Sequence, residues 1–394
     1  MTTHFMSYSS KLEASVTRNA GQLRSYCDMY VLTSVLLLLA IGWLMVYSAS
    51  LSVAERSVTS PYHFIIRHST HVVAGLFMMT LVSRMRSNML MKLGPVFLVS
   101  GIVLLILVLI PGIGSKINGS VRWINLGFTN VQPSEFVKLF MVIYAAGYLV
   151  RKKEHLRMFV PGIVIMSLVL GVVGCLLLME PDLGTVAVIS ITILSMLYLA
   201  GVRFLHFMLV LLTGAGSMTI LTLISPYRME RVTGFLDPWA DPFDSGFQLV
   251  QALIAFGRGE WLGVGLGASI QKLAYLPAAH TDFILAVLAE EMGLIGVLFV
   301  ISMITLLVIR GFHVATIAEQ RGDLYAARLS QGVSLLLGWQ AAINMGVNMG
   351  VLPTKGLTLP LMSYGGSSML MSCMAVGLIL MVDRENREQA WKKR

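Results

Sequence analysis

Charge is scarce in this chain. Of its 394 residues only 12% are Asp, Glu, Lys or Arg, about half the 25% of an average soluble domain, which excludes a water-soluble fold with an ordinary charged surface. Acids are the rarer sign, 20 against 29 Lys and Arg. Cysteine is rare as well: Cys27, Cys175 and Cys373 stand far apart at no metal-ligand spacing, so neither a zinc module nor a disulfide framework is encoded. Missing too are the stretches of about ten residues of alternating polarity that build a membrane barrel.

The chain is filled instead by apolar residues, 56% of the total. They gather in continuous runs of the roughly 17 to 25 residues that cross a bilayer as a helix. The runs predict an all-α polytopic membrane protein with spans over residues 29–50, 64–83, 93–111, 134–150, 158–177, 183–201, 206–225, 284–309, 329–350 and 361–381. Residues 1–28 read as an N-terminal tail, 29–382 as the membrane domain and 383–394 as a C-terminal tail. No small-residue cleavage site follows the first run, so it reads as a retained anchor. Alternate loops hold 19 Lys and Arg on one side and 9 on the other, with Lys138 inside a span; the richer side is cytoplasmic and both termini lie there. Those short loops account for the net charge of +9, and nucleic acid is not an expected partner.

On this background the polar residues at span edges carry the information. In residues 275–291, YLPAAHTDFILAVLAEE, Asp282 heads the eighth span and Glu290 and Glu291 lie inside it. Acids at membrane depth mark a site or a buried pair. Glu290 is about 12 Å along the helix from Asp282 and about 80° around it, too deep to share its proton. Adjacent glutamates face different ways, so one at most lines a cavity.

The loop before that span, residues 226–283, is too long for a connector and too apolar for disorder. It predicts an ordered extracytoplasmic cap, partly helical and lying on the bilayer. Its GVGLG run has no strand before it and no Gly-Lys-Ser/Thr after it, so it reads as a tight turn rather than a phosphate loop.

Three other outer segments stand out. In residues 114–139, Trp123 follows Arg122, Pro133 and Ser134 start a helix, and Glu135 and Lys138 share a face as a site or a structural ion pair. In MEPDLGT, Glu180 and Asp182 flank Pro181 in a tight turn with Asp182 as a helix cap. In residues 344–368, Gly350, Pro353, Gly356, Pro360, Gly365 and Gly366 interrupt a helix at membrane depth, which is tolerated where backbone lines a cavity or is buried in protein. Lys355 stands at its mouth.

The blocks SVRWINLG, QPSEFVKL, EPDLGT, YRMERVTGFLDPWADPFDSGFQ, QKLAYLPAAHTDFI and PTKGLTLPLMSYGGSS follow one another in this order. In that order they resemble the SEDS family, the group that holds FtsW, RodA and SpoVE, over nearly the whole chain. FGRGEWLGVGLG and DPWADP are more similar to the division-associated FtsW branch. The resemblance implies a ten-span fold and a peptidoglycan glycosyltransferase that polymerises lipid II during septal wall synthesis. Its implied partners are a class B penicillin-binding protein, other division proteins and membrane lipids. It also implies that Asp282 is catalytic, and Trp123, Lys138 and Lys355 fall on family block positions. Two positions depart from the pattern: Ala278 replaces the usual Glu, and Glu180 the usual Gln.

Polymerisation of that kind needs a sugar hydroxyl made nucleophilic, and a carboxylate such as Asp282 accepts its proton as general base. Lys355, Arg122, Lys138 and Lys116 are candidates to stabilise the departing pyrophosphate. A divalent cation, Mg or Mn, could share that task, although no ligand constellation in the sequence marks one. A single displacement inverts an α-linked donor to a β-linked product. His280, two residues ahead, is the other titratable candidate and is assigned to substrate contact with Trp123, Arg122, Lys138, Glu135, Lys355, Ser363 and Gly365. A lipid flippase and a recruiting scaffold are the competing classes. The rim position of Asp282 under a large loop, with no repeat pairing the two halves, favours the enzyme.

Overall fold

The structure is a computed structural model that describes residues 28–56, 62–117, 120–125, 127, 130–244, 246–273 and 275–392. The expected N-terminal tail lies outside the described residues but for Asp28. Three helices come first, α1 (Met29–Arg56), α2 (His63–Ser83) and α3 (Ser87–Leu109). A sheet not foreseen from the sequence follows: β1 (Gly114–Ile117), β2 (Ser120–Asn125) and β3 (Asn130–Val131), antiparallel in the order β1-β2-β3. Next stand α4 (Pro133–Arg151), α5 (Ile165–Met179), α6 (Leu183–Leu199) and α7 (Phe204–Ile224). The cap contributes α8 (Pro226–Leu236) and α9 (Phe247–Gly259), so it is partly helical as expected. The chain closes with α10 (Ile284–Gln320), α11 (Leu324–Asn348) and α12 (Gly366–Lys392).

Helices thus occupy all ten expected spans, and 8 of them are long and apolar enough to cross a membrane by themselves. The chain is a multi-pass helical membrane protein. The two outside that set, α6 and α11, lie deep in the bundle, where protein rather than lipid surrounds them. Much of α6 is buried, and α11 packs against α10, α4, α6 and α12. By contrast α7 touches little but α6 and α8 and leaves Leu205, Leu212, Leu223 and Ile224 exposed.

Some boundaries differ from the expected ones, each for a local reason. Residues 160–164 form a π-helical turn, so α5 proper begins at Ile165. The Glu385 carboxylate accepts the Ser87 N–H at 2.8 Å, and this cap from another helix lets α3 begin well before residue 93. Residues 357–365 are irregular and α12 begins only at Gly366. It then runs to Lys392, through most of the expected C-terminal tail. Contacts hold that overhang: Arg387 pairs with Asp383 at 2.9 Å and Asn386 donates to the Val314 carbonyl at 2.9 Å.

The eighth span is broken. Gly293 has φ +67 inside α10, a conformation open chiefly to glycine, and a Cβ there would lie 2.5 Å from the Trp261 carbonyl oxygen. The cap uses the gap: Val264 and Gly265 donate to the Glu290 and Glu291 carbonyls at 2.9 and 3.2 Å, and Leu294 donates to Glu260 at 2.9 Å. From 294 to 320 the helix is about 40 Å long at 1.5 Å per residue, enough to cross a hydrocarbon core of about 30 Å unaided. The short piece from Ile284 to Gly293 is therefore free for another task. Every residue from Ile284 to Glu291 is buried, and it presents Asp282 just ahead of its N-terminal end.

Candidate active site

Five segments converge on Asp282: the sheet, the turn between α5 and α6, the head of α4, the loop before α10 and the irregular loop before α12. The backbone around Asp282 is held from both sides. The N–H groups of Thr281, Asp282 and Phe283 point at the Ala278 carbonyl at 3.0, 3.2 and 3.3 Å. Ala278 itself is exposed with φ +56, a backbone setting that costs a residue bearing a Cβ on the order of 1 kcal/mol. The Asp282 carbonyl in turn accepts the side-chain amides of Asn344 and Asn348, both at 2.9 Å.

Asn344 also donates to the Leu357 carbonyl at 2.6 Å, and Asn348 accepts the Ala286 N–H at 3.2 Å. One turn back, Gln340 donates to the Thr358 carbonyl at 3.1 Å and accepts from Lys138 at 2.8 Å. Gln340, Asn344 and Asn348 are four residues apart, so α11 presents them as one stripe, and all three are buried. Sequence reasoning missed them as site residues. The signal was there: three amides at that spacing in an apolar span are costly unless bonded.

Asp282 is half-buried, and no described side chain hydrogen-bonds to its carboxyl. Its Oδ2 faces Gly356, where an added Cβ would stand 3.3 Å away; a larger residue at 356 would close the space in front of the acid. Burial pushes its pKa up to about 6; Arg122 and Arg231 pull it down, while Asp182 and Glu135 push it up. Those four charges show which groups surround it.

Arg122 reaches the site from β2 and is fixed by its own bonds, Nε to the Glu180 carbonyl at 2.9 Å and Nη2 to the Pro181 carbonyl at 2.6 Å. Strand alternation turns Trp123 to the other face of the sheet, opposite Ser115. Asp182 caps α6 as expected: it accepts the Thr185 N–H at 3.2 Å and Oγ1 at 2.8 Å, and the Ser134 hydroxyl at 3.2 Å. Lys355 adjoins Gly356 and is half-buried; burial lowers its pKa, and no carboxylate among the described residues pairs with it. Lys116 is exposed on β1.

Other expected contacts are turned inward. Lys138 is fully enclosed and its Nζ is occupied by Glu135 and Gln340, both at 2.8 Å, so this pair braces the site instead of opening to a substrate. The Ser363 hydroxyl is buried and accepts the Leu359 N–H at 2.8 Å, fixing the loop. Gly365 stands beside Thr358 and Ser368, each 3.6 Å from an added Cβ. His280 packs its ring against Phe64 and Tyr364, its carbonyl accepts the Tyr364 N–H at 3.0 Å, and burial lowers its pKa. Its place is in the aromatic wall behind Asp282.

Neither intramembrane glutamate faces the site. Glu290 accepts Arg258 at 2.9 Å, the Ile270 and Gln271 N–H groups at 3.1 and 3.2 Å, and the Ser269 hydroxyl. Glu291 accepts Lys272 at 2.7 Å and Ser48 at 2.6 Å. Of the three acids, Asp282 takes no hydrogen bond from a described side chain, and the other two fasten the cap to the spans. Among the described residues no three His, Cys, Asp or Glu side chains are grouped to hold a metal ion.

Known proteins are similar to this chain at two levels, sequence and fold. The chain is 52% identical over 360 residues to the probable peptidoglycan glycosyltransferase FtsW of Nitrosococcus halophilus, covering 91% of this chain and 93% of the relative. It is 47% identical over 366 residues to the protein of that name from Legionella pneumophila, covering 93% of each. Among solved structures, a chain from a peptidoglycan synthase complex that coordinates polymerization and crosslinking matches with a TM-score of 0.75 and 30% identity, over 91% of this chain and 98% of that one. The rod shape determining protein RodA of Thermus thermophilus matches with a TM-score of 0.67 and 26% identity, over 91% and 97%. The family model for FtsW, RodA and SpoVE, described as cell cycle protein, matches residues 28–388. On that match and these identities, the chain belongs to the FtsW/RodA/SpoVE family of cell cycle proteins.

Proposed function

We propose that this protein is a peptidoglycan glycosyltransferase that polymerises lipid II, with Asp282 as general base. One observation carries the reading: a half-buried aspartate whose carboxyl takes no hydrogen bond from any described side chain stands at the head of a fully buried helical segment, near the cationic side chains of Arg122 and Arg231. The acceptor sugar's hydroxyl donates its proton to Asp282 as its oxygen attacks the anomeric carbon of the donor. The bond to the lipid pyrophosphate breaks on the opposite face, and the α-linked donor becomes a β-linked unit. Arg122 and Lys355 meet the charge that develops on the departing phosphates. The partner is a class B penicillin-binding protein, in keeping with the synthase complex among the structural relatives and with exposed Trp239, Phe243 and Trp261 on the cap. The cap is extracytoplasmic, both termini are cytoplasmic, and the site of action is the division septum.

Purified protein with its transpeptidase partner, given labelled lipid II in liposomes, tests the reading. Glycan strands are the expected product. Movement of lipid II between leaflets without any polymer would replace the polymerase by a flippase.

Two predictions arise from the same geometry. Asp282 accepts a proton only when ionised, and its pKa is raised to about 6. Polymerisation therefore rises with pH through that value and is about tenfold slower at pH 5 than at pH 7. A rate constant across that interval would contradict the assignment. Lys355→Ala is expected to lower kcat by about tenfold or more, the order of effect of a lost transition-state contact, with the melting temperature unchanged. Turnover within twofold of wild type would reduce Lys355 to a loop charge.

A further inference from the structure

Glu180 has no part in the chemistry above, yet it is the most isolated acid in the described structure. It is 0% exposed, and neither carboxylate oxygen has a hydrogen-bond partner. It is also the C-cap of α5, at the negative end of a helix, where a second negative charge is opposed. Asp182, two residues on, has the reverse setting: it caps the positive end of α6 and its oxygens are taken up by Ser134 and Thr185. One turn thus separates two acids into opposite environments, the arrangement that drives neighbouring carboxyls into different protonation states.

We propose that Glu180 is a positioning residue that stands as a neutral carboxylic acid during the reaction and thereby leaves the positive charge of Arg122 to Asp282 and the substrate. An isolated carboxylate without donors is too costly to bury, so the group keeps its proton. The charged groups that face it are Asp182 from its own turn and Arg122 from β2. Burial and Asp182 raise its pKa to about 8 against the pull of Arg122. Arg122 is already anchored on the Glu180 and Pro181 carbonyls, so an anion at Glu180 would hold the guanidinium to itself. It would also add a second negative charge on the side where Asp182 faces Asp282. A protonated Glu has the shape and neutrality of Gln, and adds a titration that Gln lacks.

The functional half of the inference rests on the polymerase reading; the protonation state does not. Infrared difference spectra of the purified protein, in an Asp282→Asn background, read that state directly. The carbonyl stretch of a protonated carboxylic acid is expected at pH 7, fading as pH rises past about 8 and absent from Glu180→Gln. In lipid II polymerisation, Glu180→Gln is expected to keep the wild-type rate at pH 7. Wild type should lose about tenfold between pH 7 and pH 9, as Glu180 ionises around pH 8, while Glu180→Gln keeps its rate. Absence of the protonated band at pH 7, or the same alkaline loss in Glu180→Gln, overturns the proposal. Should no form polymerise lipid II, the spectrum still decides the protonation state.

Discussion

Asp282→Asn is expected to lower lipid II polymerisation by at least 10² while leaving the fold intact. The size follows from the role, since a positioned general base contributes about 10² to 10⁴ in rate and an amide of the same shape cannot take the proton. The intact fold follows from the contacts. No described side chain bonds the carboxyl, and the interactions that place the residue run through its carbonyl, to Asn344 and Asn348, and through its N–H to Ala278. All of these survive in Asn. Burial already works against the charge, so the variant should melt no lower than wild type. Strand formation within threefold of wild type would remove Asp282 from the role. A lost signal accompanied by a lower melting point would mean the carboxyl braces the fold.

The largest expected effect on stability is at the other end of the same buried segment. Lys272 reaches from the cap to Glu291 at 2.7 Å, Ser48 of α1 at 2.8 Å and the Gly267 carbonyl at 2.7 Å. Its side chain is 7% exposed and that of Glu291 is fully buried. Removing one partner of such a pair strands a charge, which typically costs about 3 to 5 kcal/mol. Lys272→Met should therefore lower stability by about 3 kcal/mol or more and, by loosening the cap from the segment that bears Asp282, reduce polymerisation as well. Adding Glu291→Leu removes the stranded charge and should recover most of the stability, since apolar replacement of a whole buried pair is often neutral. Melting of the single and double variants in one detergent reads this directly. Equal melting of Lys272→Met and wild type would show the pair to be loose and solvated.

What the sequence made legible follows from what each signal measures. Spans are set by long apolar runs, and every one of the ten expected places holds a helix. Helix signals that are purely local also held: Pro133 opens α4 and Asp182 caps α6. The break at Gly293 escaped notice, because glycine in an apolar run is common in membrane helices and the cause lies in a distant stretch of backbone, at Glu260 and Trp261. The sheet escaped for a similar reason, being short and folded within the loop between α3 and α4.

The candidate site was legible as a set of unusual residues, but not as a division of labour. Lys138 was conspicuous as a cation inside a span, and only its bonds to Glu135 and Gln340 show that it faces inward. Ser363 and His280 likewise turned out to secure loops. Asn344 and Asn348, being uncharged, drew no attention, yet they hold the Asp282 carbonyl. Whether a polar residue serves chemistry or architecture depends on which way its atoms point, and spacing alone does not encode that.

The central claim is tested most directly by an experimental structure of the protein with its partner, bound to a lipid-linked glycan acceptor and an unreactive donor analogue. The account predicts the acceptor hydroxyl within about 2.6 to 3.2 Å of an Asp282 carboxyl oxygen, with the donor's phosphates on the Arg122 and Lys355 side. A sugar seated elsewhere, with Asp282 turned toward lipid or sealed off behind Gly356, would contradict it.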